Sequence, residues 1–194
     1  VLGLITALFL IPVALNLRND MPFFSILSHY RWPLLVLLPL VITACVYAAF
    51  LIGRAFPIVF QFGKFITIGA SNTAIDLGIL NILLLVTGFH KGVFYTIFKA
   101  FSFIVAMINS YFWNKFWTFN DTERCGMGRQ FLSFLLVSGV GFGIDVFIAT
   151  FIVNFVEPLA GATHDVWANI GAIIAFATTV LWNFLGYKFF VFRS

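Results

Sequence analysis

The chain has 194 residues, 62% hydrophobic and 9% charged, with 27 phenylalanines and a formal net charge of +4. Soluble domains carry charge on about a quarter of their residues, so this composition excludes an ordinary water-soluble fold and indicates an integral membrane protein, whose exterior is as apolar as its core. Nucleic acid is not an expected partner, because the eleven Lys and Arg are scattered around apolar segments rather than gathered in a patch.

A helix needs about 20 apolar residues to cross the hydrocarbon. Six runs meet or approach this: Val1 to Leu17, Pro33 to Gly53, Phe62 to Val86, Val93 to Phe116, Phe131 to Phe155 and Trp167 to Phe190. The first opens in mid-run without an initiator Met, which suggests a truncated start. A signal peptide is the alternative there, and the lack of a basic segment before the run speaks against it. With six spans, Arg54, Lys64, Lys115, Arg124, Arg129, Lys188 and Arg193 share one side, while Arg18, Arg31 and Lys91 lie on the other. By the positive-inside rule the chain is a multi-pass cell-membrane protein with both termini cytoplasmic. His29, His90 and His164 then fall in exoplasmic loops and receive no role. Cys45 and Cys125 indicate neither a disulfide framework nor a metal site. No metal-ligand cluster, nucleophile motif or phosphate-cradling loop is visible, so no metal, cofactor or enzymatic activity is expected. "NDTERCGMGRQ", 120–130, reads as a cytoplasmic connector.

The chain also resembles itself. A shift of 69 residues lays Gln61 on Gln130, Phe62 on Phe131, Phe65 on Phe134 and Asp76 on Asp145, and a shift of 73 lays Lys115 on Lys188 and Phe119 on Phe192. The expected fold is therefore all-α: a polytopic helix bundle with a four-helix core over 61–194. That core consists of two helical hairpin repeats of parallel topology, about 61–120 and 129–194, preceded by two additional transmembrane helices in 1–60.

Asp76 lies about 18 Å along the helix from Lys64, close to the middle of the hydrocarbon, where an ionised Asp costs roughly 2.5 to 3.5 kcal/mol. Gly69, Asn72, Thr73 and Asp76 fall at helical spacing, as do Ser138, Gly141, Phe142 and Asp145 in the second repeat. In the closing helices Ser102, Ala106, Asn109 and Ser110 make one small, polar face, and Gly171, Ala175, Thr179 and Asn183 make another. Small residues also serve plain helix packing, for which Gly139 and Gly143 have the spacing. Lys99 has two readings, pairing with Asp76 or snorkelling to the exoplasmic surface. Lys64, Lys115, Arg129 and Lys188 sit among aromatic residues at the cytoplasmic boundary, as belt anchors or as a seat for lipid phosphate.

Phe62, Phe65, Gly69, Asn72 and Asp76, followed by Tyr111, Asn114, Lys115, Trp117 and Phe119, resemble the pattern of the GtrA-like family of small membrane proteins. The second half is looser: Asn183 and Phe184 fit, whereas Gly139, Tyr187 and Phe190 depart. The resemblance covers roughly 61–194. It implies a part in cell-surface polysaccharide or glycoconjugate synthesis, the flipping of a polyprenyl-phosphate-linked sugar across the membrane, with that sugar lipid and membrane lipid as partners, and relates the domain to the membrane part of dolichol-phosphate mannose synthases. On that implication Asn72, Thr73, Asp76, Asn109, Ser110, Asp145 and Asn183 are candidates for the sugar, and Lys64, Lys115, Arg129 and Lys188 for the phosphate. The alternative is a non-catalytic anchor or assembly subunit for a glycosyltransferase. An ion or drug exporter is a third reading, and homo-oligomerisation is left open.

Overall fold

The computed structural model describes residues 1–19, 22–123, 126–158 and 164–192. Among them there are only helices: α1 Leu2–Leu17, α2 Pro22–His29, α3 Arg31–Gly53, α4 Pro57–Thr87, α5 Gly92–Trp113, α6 Met127–Phe155 and α7 His164–Gly186. Two five-residue π-helical turns extend α5 and α7, π1 over Asn114–Thr118 and π2 over Tyr187–Val191. Five of the resulting helical segments are long and apolar enough to cross a membrane, and α1 is a shorter apolar helix of 16 residues. Of the six spans read from hydropathy, five match these segments to within a few residues at each end; the first, Val1 to Leu17, coincides with α1, which is shorter than a full span. Helix α2 was read as loop, and it ends at His29, while His164 opens α7 rather than lying in a loop. Arg124, Cys125 and Arg193 lie outside the described residues.

Lipid is the solvent for most of this surface. No residue of α3 is buried, and Phe142, Phe147 and Phe176 are all more than 60% exposed. In water such exposure would be prohibitive, whereas in hydrocarbon it costs nothing and the backbone is satisfied within each helix.

Two compact units divide the chain, Val1–Asn120 and Asp121–Ser194. In the first, α4 is the central helix and has two working faces. Ile68, Ser71, Ile75 and Gly78 are buried at helical spacing and meet α1. Thr6 Oγ1 donates to Ser71 Oγ at 2.9 Å, and Asn16 Nδ2 to Asn81 Oδ1 at 2.7 Å. Both pairs are 65 residues apart, so α1 runs parallel to α4. Helix α3 runs antiparallel to both, with Gly3 against Pro39 and Gly63 against Ala49. The second face of α4 carries Asn72 and Asp76 and meets α5. Gly88 ends α4 in the left-handed region at φ 72°, its N–H bonded to Leu84 O, a conformation for which glycine suits best.

The second unit is the α6–α7 hairpin. Gly171 is tucked against Ile152 and Val153, and Gly141 against Asn183. Trp167 Nε1 donates to Val156 O at 2.8 Å and Ile152 O at 3.2 Å, satisfying carbonyls that the end of α6 leaves open. Gly139 and Gly143 overturn their expected packing role: both are exposed, with nothing near where a Cβ would stand. Gly141, two residues along, occupies the face that meets α7.

Candidate functional site

A line of polar contacts runs along the α4–α5 hairpin. At one end Lys64 Nζ donates to Trp117 O at 3.0 Å and lies 4.4 Å from the Phe60 ring centroid. Two turns further along α4, Asn109 Nδ2 donates to Asn72 Oδ1 at 3.2 Å. One turn beyond, Ser102 Oγ donates to Asp76 Oδ1 at 2.6 Å, while Lys99 forms an ion pair with Asp76 Oδ2. Measured by helical rise, Lys64 to Asp76 is about 18 Å, so the seam reaches from about two turns inside α4 past the middle of that helix. The side chain of Asp76 is 18% exposed and that of Lys99 41%.

This settles the two readings of Lys99 in favour of the pair. It also adds Ser102, which the sequence placed on the correct face of α5 without showing its partner. Thr73 belongs elsewhere: it is exposed, and its hydroxyl donates to Gly69 O of its own helix. Gly69 and Phe142 are likewise exposed, so both four-residue stripes split: Gly69, Thr73 and Phe142 face out, and the other residues are buried or half-buried.

The π turns carry the remaining basic candidates. In a π turn the N–H reaches back five residues, as Phe119 N does to Asn114 O at 2.9 Å and Phe192 N to Tyr187 O at 2.8 Å. The two turns stand at equivalent positions under the 73-residue shift. Lys115 is fully buried, its ammonium 5.8 Å from the Phe116 ring centroid, and Lys188 is half-buried, 5.9 Å from that of Phe189. Arg129 is exposed near the start of α6. Asn114 Nδ2 donates to Ser110 O at 2.9 Å and Ser110 Oγ at 3.3 Å, which places Ser110 beneath π1.

Thr118 shows what a π turn costs. Thr6, Thr67, Thr73 and Thr178 each donate to the carbonyl four residues back, but in π1 the altered winding takes that carbonyl away, and Thr118 Oγ1 is buried without a partner. Thr118→Val removes this hydroxyl while keeping the shape, so it is expected to raise stability by about 1 kcal/mol, read as a higher Tm in detergent. A lower Tm would mean that the hydroxyl is bonded in the folded protein.

In the α6–α7 hairpin the polar contacts differ. Ser138 Oγ and Tyr187 Oη are 2.7 Å apart, Thr179 Oγ1 donates to Gly141 O at 3.2 Å, and Trp182 Nε1 donates to Val137 O at 3.0 Å. Asn183 presents its Oδ1, buried and unpartnered, over Gly141. Gln130 Nε2 donates to both Asp121 Oδ2 and Val191 O, so Gln130 joins π2 to the buried carboxylate of Asp121, which the sequence did not single out. Asp145 is half-buried. Among the described residues no group of three His, Cys, Asp or Glu is placed to hold a metal ion.

The seam and the helices from most of α4 onward fall within a recognised domain. A family model for the GtrA/DPMS transmembrane domain matches residues 64–192. The chain is also 31% identical over 130 residues to the uncharacterized membrane protein YngA of Bacillus subtilis, a match covering 67% of this chain and 78% of that protein. No solved structure gives a significant match. With two thirds of its length in the matched region, this multi-pass chain belongs to the GtrA/DPMS transmembrane-domain family.

Proposed function

We propose that the protein moves a polyprenyl-phosphate-linked sugar across the membrane, with both termini on the cytoplasmic side. Membership of the family supports a part in lipid-linked sugar processing, and the domain is generally of a non-catalytic kind. The observation that carries the finer reading is the α4–α5 seam, where Lys64, Asn72, Asp76, Lys99, Ser102 and Asn109 make donor–acceptor contacts through an otherwise apolar span.

Moving a sugar head group is difficult because each hydroxyl stripped of water without a partner costs roughly 1 to 3 kcal/mol. A seam of paired groups lowers that barrier. Each contact joins opposite helices, so a passing hydroxyl, which both donates and accepts, can insert between the two partners and keep both satisfied, while the prenyl tail stays in lipid. The phosphate is met at the basic end of each hairpin, by Lys64 in one and by Arg129 and Lys188 in the other. Lys115 takes part only if π1 opens, since it is enclosed.

Reconstitution in liposomes with a short-chain polyprenyl-phosphate sugar tests this reading. Wild type is expected to bring the lipid to the opposite leaflet, and Asn72→Ala with Asn109→Ala to slow it on the order of tenfold. Movement no faster than in protein-free liposomes, from folded protein, would reject translocation. The second reading, an anchor for a glycosyltransferase, draws on the fact that the seam's side chains satisfy one another in the resting structure. It is favoured if the double variant retains full function in cells.

A further inference from the structure

The two hairpins treat their mid-helix carboxylates differently. Asp76 is saturated, with Ser102 on one oxygen and Lys99 on the other. Asp145 receives no hydrogen bond or ion pair among the described residues. The cause lies in α7. Thr179 sits at the level of Gly141 and Gly171 at the level of Ile152, which brackets 172–178 as the stretch opposite Asp145. That stretch reads Ala-Ile-Ile-Ala-Phe-Ala-Thr. Its one polar side chain, Thr178, donates to Ile174 O at 2.9 Å within its own helix.

A second unsatisfied acceptor lies close by. Asn183 Oδ1, buried and without a partner, rests over Gly141, one turn or about 6 Å along α6 from Asp145. Two acceptors without donors in the apolar span of one hairpin make a place that favours a ligand bearing hydrogen-bond donors.

We propose that Asp145 and Asn183 are where the hydroxyl-rich head group is first held, and that Asp76 serves instead to seat Lys99. This rests on the lipid-linked sugar reading and gives the two hairpins different work: the second holds the sugar through unpaired acceptors, whereas the acceptors of the first are already paired. The source of the donors is the sugar and not the phosphate, since neither acceptor suits an anion.

The test uses the full chain in nanodiscs, titrated with a short-chain prenyl-phosphate sugar and, separately, with the same prenyl phosphate lacking the sugar. Wild type should be thermally stabilised more by the sugar lipid. Asp145→Ala and Asn183→Ala should weaken sugar-lipid binding about tenfold each, Asp145→Ala without lowering the Tm of the free protein, and Gly143→Ala on the same helix should not weaken it. Equal stabilisation by both lipids, unchanged binding in Asp145→Ala, or the same stabilisation by sodium ions alone would overturn the proposal. Sugar-specific binding that depends on Asp145, in a protein that moves no lipid in liposomes, would leave this site standing and remove translocation.

Discussion

Replacing Lys99 with Met is expected to destabilise the folded protein by about 2.5 to 3.5 kcal/mol, the cost of a charge left unpaired in mid-bilayer. Met keeps the length of the stem, so packing changes little and the loss reports the ion pair with Asp76. In water a pair this exposed would contribute under about 1 kcal/mol. Here the alternative to the pair is hydrocarbon, and Ser102 alone cannot satisfy both oxygens of Asp76. Asp76→Asn should cost less, because Lys99 is 41% exposed and its stem lets the ammonium snorkel. The double variant Asp76→Asn, Lys99→Met should recover most of the loss. Unfolding in detergent or lipid, analysed as a double-mutant cycle, gives the coupling directly. A coupling below about 0.5 kcal/mol would mean that the two side chains do not depend on each other.

Gly78→Leu is expected to detach α1 from α4. A Cβ at Gly78 would come within 2.4 Å of the Phe9 carbonyl oxygen and 2.6 Å of Phe9 Cβ, so even Ala forces the helices apart, at about 1 to 3 kcal/mol. Leu cannot be housed at that spacing at all. Loss of the contact also breaks the Thr6–Ser71 and Asn16–Asn81 hydrogen bonds, since both depend on the same close approach. Crosslinking between Thr6→Cys and Ser71→Cys, in a background without Cys45 and Cys125, should fall sharply in the Gly78→Leu protein. Gly139→Leu and Gly143→Leu are the matched controls, because nothing stands within 4 Å of where a Cβ would go. An undiminished crosslink in Gly78→Leu would show that α1 is held by other contacts.

The glycines also show where sequence reading stops. Spacing identifies Gly139 and Gly143 as a packing pair, but which face of α6 turns to α7 depends on the partner, and Asn183 selects Gly141. Hydropathy locates the long helices because the bilayer sets their length. It is silent on π1 and π2, which arise from a one-residue change in hydrogen-bond register that no composition signals. The pairing of Lys99 with Asp76 was one of two readings until hairpin register brought them together. The second polar face of α4 was not legible either. Ser71 and Asn81 look like isolated polar residues in an apolar helix until α1 supplies Thr6 and Asn16.

The parallel course of α1 and α4 bears on how the protein is made. Helix α1 enters the bilayer before α4, and its hydrogen-bonding partners are synthesised 65 residues later. Thr6 is prepared for that interval, because its one hydroxyl proton can be given instead to Leu2 O, also 2.9 Å away within its own helix, so that it needs no partner to reside in lipid. Asn16 has no such provision. It sits one residue from the C-terminal end of α1, where its amide can stay hydrated at the interface until Asn81 arrives. The order of synthesis is thus accommodated by which polar residue lies deep and which lies at the rim.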